Sequence, residues 1–486
     1  MIYKLRPYQE DCVKSISDYI NSDRHDPVLI VGPVGCGKSI LIAEAARLMG
    51  DKTLILQPSK ELLQQNHDKI TSYGIPATIY SASCGKKELS NMIYATLGSI
   101  KKVVGQLKEM GIRNVLIDEA HAGYSPEDGS EFMTFMNELK PSKVIGFTAT
   151  PCRLKNMSIG QTSYSRLNFI TRMRPVYFKN LIHVIQVEEM IRQGFWTPLK
   201  YETWDFNGDA LKLNSNGSEY TAESISEAVR KNGLNNLILR RLMVLKDICR
   251  SILVFMDSVE SCNTAAEWMN AKICAGIAEV VHGGTPKKQR EAIVERFKSG
   301  KTKVVFNYSA LGTGFDHPGL DCVIVGRPTF SFSSFYQWLG RAVRIKDGKD
   351  SALVVDCCNN SSRFGDIRKL SIENYKGYGW GMFIGDKLIT NIPMGDKVTK
   401  TDLDIKAAKK DRRRGLAQGV TAAPVPGRPD HPLGSTVMTF GKYCGWMFHS
   451  IPVSYFKFIN ETFDWSNDRN REIKEYIDFL IKNNRL

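Results

Sequence analysis

The run Gly32-Pro33-Val34-Gly35-Cys36-Gly37-Lys38-Ser39 places glycines, a lysine and a hydroxyl group at the spacing G-x-x-x-x-G-K-[ST]. An apolar run before it predicts a buried strand, and residues 40–46 after it predict a helix. Glycines allow backbone N–H groups to surround phosphate oxygens, and the helix adds the positive end of its dipole. We therefore expect Lys38 to contact the β- and γ-phosphates of a nucleotide and Ser39 to bind Mg²⁺.

Two carboxylates follow a second apolar run, in the order Val115-Leu116-Ile117-Asp118-Glu119-Ala120-His121. The end of such a strand lies beside the phosphate loop in a parallel sheet. Asp118 can orient Mg²⁺ through its waters, and Glu119 can act as general base on the water that attacks the γ-phosphate. A pair of acids after a strand is by itself more often a solvated turn. The phosphate loop upstream favours the catalytic interpretation.

Arg341 and Arg344 lie three residues apart on a predicted helix, so both can point to the same side. Planar guanidinium groups suit the spread negative charge of a transferring phosphoryl group. If the two arginines reach the nucleotide, hydrolysis requires closure of one lobe on the other. In isolation such arginines are usually surface ion-pair residues, so this assignment depends on the other motifs.

Strands that alternate with helices predict two parallel α/β lobes that position these side chains. Strand ends in the first lobe carry Pro58-Ser59-Lys60 and Thr96-Leu97-Gly98-Ser99, whose polar groups can grip sugar-phosphate oxygens. Another strand ends in Thr148-Ala149-Thr150, and we expect its hydroxyl groups to sense the γ-phosphate. Residues 152–186 show few periodic patterns and are predicted to form a connecting region with a basic, solvated face.

Composition and charge limit the classes of protein to consider. The length of 486 residues allows about three domains. No stretch approaches the roughly 18 apolar residues of a membrane span, and the N-terminus lacks the apolar core of a signal peptide. We therefore expect no membrane contact and a cytoplasmic location, in the host cytoplasm if a phage encodes the chain.

The 11 cysteines form no C-x-x-C pair, which disfavours structural zinc and disulfides. A net charge of +15 favours nucleic acid as partner over a merely solvated basic surface once the motifs are included.

The ordered set of motifs resembles superfamily 2 helicases. The opening Leu5-Arg6-Pro7-Tyr8-Gln9 and the form Thr313-Gly314-Phe315-Asp316 are most similar to the RadD-like and type III restriction-subunit branch, which includes phage and bacterial proteins and acts mainly on DNA. The other motifs are the phosphate loop, Pro58-Ser59-Lys60-Glu61-Leu62, Asp118-Glu119-Ala120-His121, Thr148-Ala149-Thr150 and Gln337-x-x-Gly340-Arg341-x-x-Arg344.

The resemblance implies an α/β fold with two tandem RecA-like parallel-sheet lobes, with ATP and Mg²⁺ between them and a nucleic-acid strand across both. We expect the first lobe at residues 1–185 and the second at 186–360. A basic, proline-rich linker region is expected at 361–433, and a small α+β accessory domain at 434–486.

The resemblance also implies roles for individual residues. Arg6 and Gln9 are expected at the adenine, where the Gln9 amide can supply a donor and an acceptor. Gly314 and Asp316 are expected to contact the nucleotide from the second lobe. Arg341 is the expected arginine finger with Arg344 as its companion, and Gln337 belongs to the same catalytic motif. Contacts to the backbone of the nucleic-acid strand are expected from Ser59, Lys60, Thr96, Ser99 and Thr313.

The C-terminal part carries weaker signals. Basic residues from Lys406 to Arg414, followed by a proline-rich stretch, indicate an extended tether that can bind phosphate. The run Phe440-Gly441-Lys442-Tyr443 resembles a small module found beside some bacterial and phage nucleases, although no nuclease motif is present. This module is expected to bind nucleic acid or a protein partner.

The leading hypothesis is an ATP-dependent DNA helicase or translocase that acts on single-stranded or branched DNA in replication, recombination or repair. An RNA helicase or remodeller remains an alternative, because such a motor grips the strand backbone. A non-catalytic, ATP-gated nucleic-acid clamp is the alternative from another class. Intact Glu119, Arg341 and Arg344 argue against the clamp.

Overall fold

A computed structural model describes residues 4–50, 52–122, 124, 126–127, 129–159, 162–312, 315–407, 432–436, 438, 443, 447–462 and 471–483. Two compact units divide the chain: residues 1–375 with 379–398, and residues 376–378 with 399–486. The predictions for Thr313, Gly314, the basic residues 409–414, the proline-rich stretch 422–431 and most of the segment 437–446 lie outside the described residues.

The first sheet contains eight strands of the described chain, in the order β10-β1-β7-β6-β2-β5-β3-β4, and only β3 and β4 pair antiparallel. Its central strands are buried at every position, as expected for a parallel sheet covered on both faces. The strands of this part of the chain are β1 Val28–Val31, β2 Thr53–Leu56, β3 Thr78–Ser81, β4 Lys86–Lys87, β5 Met92–Ala95, β6 Asn114–Ile117, β7 Lys143–Thr148, β8 Cys152–Ile159, β9 Thr162–Phe169 and β10 Asn180–Val184.

The strand order positions the predicted site. β7 lies between β1 and β6, so the phosphate loop after β1, the carboxylates after β6 and the threonines at the end of β7 share one edge of the sheet. This edge is formed by the carboxyl ends of the strands, where ligands bind in parallel α/β sheets.

The second sheet contains six parallel strands in the order β11-β16-β15-β12-β14-β13. Together with the first sheet it confirms the predicted fold class of two RecA-like parallel lobes. Its strands are β11 Leu199–Thr203, β12 Ile252–Phe255, β13 Ala278–His282, β14 Val304–Tyr308, β15 Cys322–Val325 and β16 Ala352–Asp356.

Helices pack against the two parallel sheets of the first unit. The Ser59 hydroxyl caps α3 by accepting the N–H of Leu62 at 3.3 Å. Across the described residues, no helix is both long and apolar enough to span a membrane. The helices are α1 Pro7–Asn21, α2 Lys38–Met49, α3 Lys60–Ser72, α4 Leu97–Ile100, α5 Val104–Glu109, α6 Glu131–Leu139, α7 Val187–Arg192, α8 Ala222–Lys231, α9 Leu234–Ile248, α10 Val259–Lys272, α11 Lys287–Lys298, α12 Phe332–Leu339 and α13 Asn360–Phe364.

Residues 152–186 are more regular than the sequence indicated. β8 and β9 form an antiparallel hairpin with register from Cys152–Phe169 to Ile159–Thr162, and β10 is an edge strand of the first sheet. Most hairpin positions carry polar side chains, so the apolar alternation that identifies strands is weak. Arg153, which we expected on a solvated face, instead donates to the carbonyl of His121 at 2.5 Å.

The structure differs from the expected linker at 361–433 in its first part, because residues up to 398, apart from 376–378, belong to the first compact unit. The antiparallel strands β17 Leu370–Tyr375, β18 Gly379–Ile384 and β19 Lys387–Leu388 pair in that order. Asn391 fastens the segment to β9, since its N–H donates to the carbonyl of Leu167 at 2.7 Å. These long-range contacts have no local sequence signature.

The second compact unit has its own apolar core, which includes Phe448, Phe456 and Tyr476. Helices Val453–Thr462 and Arg471–Lys482 supply most of this core.

A substitution at Gly146 can test how the acidic motif packs on the sheet. A Cβ at this position of β7 would lie 2.9 Å from the Ala120 Cβ and 2.8 Å from the Phe178 ring. We expect Gly146→Ala to lower the free energy of unfolding by about 1–3 kcal/mol through overpacking. Gly105→Ala is the control, because no atom lies within 4 Å of its Cβ position. Equal thermal unfolding midpoints for the two variants would contradict this packing.

Candidate nucleotide-binding site between the lobes

A cleft of about 310 Å³ lies between the two lobes of the first compact unit. It collects most of the residues that the sequence predicts around a nucleotide. The first lobe contributes Arg6, Gly35, Gly37, Lys38, Ser39, Asp118 and Glu119, and the second contributes Asp316, Gln337, Arg341 and Arg344.

The phosphate loop is shaped so that only glycine fits at key positions. Gly35 and Gly37 both have φ of +83°, a conformation that disfavours other residues. A Cβ on Gly37 would lie 2.5 Å from the Gln9 Nε2, and a Cβ on Gly32 would lie 2.6 Å from the Cys36 Sγ. The loop therefore forms a cradle of backbone groups that fits a phosphate chain.

Gln9 supports this loop directly. Its Nε2 donates to the carbonyl of Cys36 at 2.9 Å, and its Oε1 accepts the backbone N–H of Arg6 at 3.0 Å. The side chain is only 2% exposed. The acceptor that we expected to face adenine is thus occupied by Arg6, because Gln9 also caps the first turn of α1.

Phe195 is a cleft residue that the sequence interpretation missed. The Arg6 guanidinium lies 4.7 Å from the centre of the Phe195 ring, and both side chains line the cleft. A flat cation over an aromatic ring offers a stacking surface for a base. The only sequence signal is the aromatic pair Phe195-Trp196 in the connection between α7 and β11.

Lys38 and Glu119 form a half-buried ion pair, with Nζ 2.6 Å from Oε1 and side-chain exposures of 16% and 15%. Burial alone would raise the pKa of Glu119, but the charge of Lys38 and the contact with His121 lower it below its usual value. Burial opposes the charge on Lys38, and the two neighbouring carboxylates hold the pKa of Lys38 above its usual value. Each group therefore keeps the other ionised.

Asp118 is held by two donors. Its Oδ1 accepts the Glu119 N–H at 2.8 Å, and its Oδ2 accepts from the Asn66 amide at 3.0 Å. Burial, followed by the charge of Glu119, raises the pKa of Asp118 to about 6. Ser39 lines the same cleft. A hydroxyl group and a carboxylate beside a phosphate cradle fit Mg²⁺, which binds through few protein ligands and keeps several waters.

The second lobe presents Arg341 and Arg344 from the segment that follows α12, because the helix ends at Leu339 and does not include them as the sequence predicted. Arg341 donates to the carbonyls of Phe315 at 2.6 Å and Gly312 at 3.0 Å. Arg344 forms an ion pair with Asp316. Burial lowers the pKa of each arginine to about 10, so both remain cationic near neutral pH. The arginines and Asp316 are thus brought together as expected.

The phosphate loop packs directly on the second lobe. The Trp196 Nε1 donates to the carbonyl of Val34 at 2.7 Å, and Trp196 is 2% exposed. A Cβ on Gly340 would lie 2.5 Å from the Val34 Cγ2, and a Cβ on Gly35 would lie 3.3 Å from the Val343 Cγ2. Val34 therefore serves as an interlobe contact.

A second interlobe contact joins the acidic motif to α12. His121 Nδ1 lies 2.8 Å from the Thr148 Oγ1, and its Nε2 lies 3.3 Å from the Ser333 Oγ. The same Ser333 hydroxyl lies 3.1 Å from the Thr150 Oγ1. The sequence interpretation missed Ser333, which connects both expected sensor threonines to the second lobe.

The residues expected to contact nucleic acid lie at adjacent strand ends. β2 and β5 are neighbours, so Ser59 and Lys60 after β2 lie beside Thr96 and Ser99 after β5. Lys60 is exposed and the other three are half-buried. Thr96 donates to Ser99 at 3.2 Å, so part of their hydrogen-bonding capacity is used internally.

Lys349 connects two segments of the second lobe, one that contains Pro318 and one that contains Arg344. This residue was not identified from the sequence. Its Nζ donates to the carbonyls of Ala342 and Arg344 at 2.7 Å and of Pro318 at 3.1 Å. Burial lowers the pKa of Lys349 to about 8, which leaves it mostly charged at neutral pH. The lysine thereby ties the arginine segment to the loop that carries Asp316.

We expect Lys349→Met to reduce kcat for ATP hydrolysis by about tenfold, because the arginine segment loses its anchor. Lys346→Met is the control, since Lys346 is exposed and lies three residues away. A Lys349→Arg variant should recover part of the rate. Steady-state kinetics in which both methionine variants match the parent would exclude this positioning role.

Comparisons with known proteins match two separate parts of the chain. Residues 2–153 match the family of the type III restriction enzyme, res subunit, and residues 234–346 match the helicase conserved C-terminal domain. The chain is 25% identical over 332 residues to the 51.5 kDa protein of a Lactococcus phage (isolate 7-9), covering 68% of this chain and 65% of that protein. It is 23% identical over 378 residues to the putative ATP-dependent helicase IRC3 of Saccharomyces cerevisiae, covering 74% of this chain and 52% of that protein.

A solved structure has the same fold. The ATP-dependent Type ISP restriction-modification enzyme LlaBIII, bound to DNA, aligns with a TM-score of 0.54 and 15% identity over 85% of this chain and 30% of that chain. The present chain spans about half to two thirds of the length of the two relatives above. Helicase families use ATP, typically with Mg²⁺. The first lobe therefore matches the family of the type III restriction enzyme res subunit, and the second lobe matches the helicase conserved C-terminal domain, on a fold of two RecA-like lobes.

Proposed function

We propose that the chain couples ATP hydrolysis to movement along DNA or to its remodelling. The observation that carries this proposal is the cleft in which Lys38 and Glu119 of the first lobe face Arg341 and Arg344 of the second. The cleft combines a phosphate-binding loop, a general base and two cations. Phosphoryl transfer needs these three kinds of group.

The Lys38–Glu119 ion pair is expected to open when a nucleotide binds. We expect Lys38 to exchange Glu119 for phosphate oxygens, since a triphosphate offers more negative charge than one carboxylate. Glu119 then becomes available to accept a proton from water, and His121, 3.3 Å from its Oε2, keeps it oriented. Mg²⁺ bound near Ser39 and Asp118 would neutralise charge on the phosphate oxygens.

The second lobe supplies the remaining charge. Arg341 and Arg344 lie on the same cleft wall and remain cationic, so they can stabilise the charge that develops on the transferred phosphoryl group. Closure of the lobes is needed to complete such a site. Because closure depends on the nucleotide, a strand held by both lobes is moved as hydrolysis proceeds.

Three features support DNA as the track. The net charge of +15 attracts polyanions. The family matched by the first lobe is that of a restriction enzyme subunit, a class of protein that acts on DNA. The predicted strand contacts Ser59, Lys60, Thr96 and Ser99 lie at one edge of the first sheet, where they can hold a sugar-phosphate backbone.

Steady-state ATP hydrolysis tests the proposal, measured without nucleic acid and with single-stranded DNA, branched DNA and RNA. We expect strong stimulation by DNA, loss of turnover without Mg²⁺, and no turnover in Lys38→Ala. Glu119→Gln should reduce turnover by about 10²–10⁴-fold while ATP still binds, because it removes the base but keeps an acceptor for Lys38.

The other outcomes identify the alternatives. Stimulation by RNA but not by DNA would indicate an RNA remodeller. Retained ATP binding with no hydrolysis under any condition would indicate an ATP-gated clamp. Full turnover in Glu119→Gln would remove Glu119 from the reaction.

A further inference from the structure

An open groove of about 540 Å³ lies between the two lobes, beside the expected strand contact Ser59. Its first-lobe wall includes Ser59 and residues 152–154 of β8, and its second-lobe wall includes Ser331 and Ser333. Two segments outside the sequence motifs meet beside this groove. They are the outer part of the β8–β9 hairpin and a turn at residues 214–218.

The turn is fixed to the second-lobe wall of the groove. Its Asn214 Oδ1 accepts the N–H of Ser218 at 3.0 Å, and this hydrogen bond closes the turn. Glu219, the next residue, accepts the N–H of Phe330 at 2.7 Å. Because Phe330 directly precedes the groove residue Ser331, the turn rises from this wall.

The first-lobe wall continues into the hairpin along one face of β8. Successive side chains of a strand alternate between its two faces, so Asn156 shares a face with the groove residues Cys152 and Leu154. At a rise of about 3.3 Å per residue, Asn156 lies roughly 13 Å along the strand from Cys152. β9 supports this end of the strand, because the Ser165 hydroxyl donates to the Asn156 Oδ1 at 2.7 Å.

The hairpin of the first lobe and the turn of the second lobe meet in an interlobe bridge, formed by Asn156, Asn216 and Gly217. The Asn156 Nδ2 donates to the Asn216 carbonyl at 2.7 Å, and the Ser165 hydroxyl lies 3.5 Å from the Gly217 carbonyl. A Cβ on Gly217 would lie 2.5 Å from the Asn156 Cγ, and the φ of +54° at Gly217 also favours glycine. The bridge therefore joins the continuations of both groove walls at close range.

Joined walls turn the open groove into a closed passage. Gln337 lines both the groove and the nucleotide cleft, so the passage lies between that cleft and the bridge. Ser59, an expected strand contact, lines the passage. Only a few hydrogen bonds hold the bridge, so it can open without unfolding of either lobe. Because the bridge joins the two lobes, separation of the lobes breaks it.

We propose that a nucleic-acid strand in the groove passes beneath the bridge, so that the protein encircles it. This inference rests on the proposed function and limits the substrates of that function. A strand with a free end enters the passage by threading, whereas a closed circle enters only when the bridge opens. The bridge therefore favours strands with free ends and delays the loss of a bound strand.

A disulfide across the bridge in the full chain tests the proposal. The short distance from the Cβ position of residue 217 to the Asn156 Cγ lets Asn156→Cys and Gly217→Cys, combined in one protein, cross-link on oxidation with diamide. The double variant is loaded on a single-stranded deoxythymidine oligonucleotide, either linear or closed into a circle, and is then oxidised. High salt weakens phosphate contacts by about 10³-fold or more, so the linear strand should leave while the linked circle stays. Reduction of the disulfide should release the circle, and Asn156→Cys alone is the control for the native cysteines.

A second variant tests the bridge without a cross-link. The parent protein should dissociate more slowly from the circle than from the linear strand, because the circle leaves only through an open bridge. Asn156→Ala removes the hydrogen bond to Asn216 and should lower this ratio of dissociation rates by about fivefold. Asn236→Ala is the matched control, because Asn236 is an exposed asparagine of α9.

The outcomes separate this inference from the proposed function. Equal loss of circle and linear strand from the cross-linked protein would overturn encirclement and leave the proposed function standing. A double variant that unfolds at the temperature of the parent but forms no cross-link would contradict the bridge. Equal dissociation of circle and linear strand from the parent would also count against encirclement. Absence of strand binding by the parent protein would instead count against the proposed function itself.

Discussion

The contact between the phosphate loop and the end of α12 is the constraint on which the rest of the site depends. Gly340 leaves no room for a side chain against Val34, and Trp196 holds the loop from the second lobe through the Val34 carbonyl. Arg341 follows Gly340 directly in the chain. Close packing of the backbone at Gly340 therefore determines how far the guanidinium lies from the phosphate cradle.

Charge balance is the second constraint on the cleft. A lysine and a glutamate that are both mostly buried remain ionised because they lie 2.6 Å apart. Removing either partner would leave an uncompensated charge, which costs more than the ion pair contributes. We expect a nucleotide to replace Glu119 as the partner of Lys38, so that nucleotide binding and activation of the base are one event. Lys349 performs a related task in the second lobe, where it holds three carbonyl oxygens together.

How much could be predicted from the sequence depends on how local each feature is. The phosphate loop and the Asp118–Glu119 pair are short motifs at strand ends, so their shared sheet edge followed from the alternation of strands and helices. Phe195 and Ser333 could not be predicted, because each acts through contacts with residues distant in sequence. Lys349 could not be predicted because it acts on backbone carbonyls, which leave no pattern of residue types. The hairpin at 152–169 was missed because most of its positions carry polar side chains. The strands after 361 were missed because long-range contacts hold their segment.

The most direct test of an active site shared between lobes is ATP turnover by Arg341→Gln in the presence of single-stranded DNA, with ATP binding measured on the same protein. Glutamine can still donate to the carbonyls of the second lobe but carries no charge. We expect ATP to bind within a few-fold of the parent affinity while turnover falls by about 10³-fold or more. Turnover close to that of the parent would mean that the second lobe takes no part in hydrolysis.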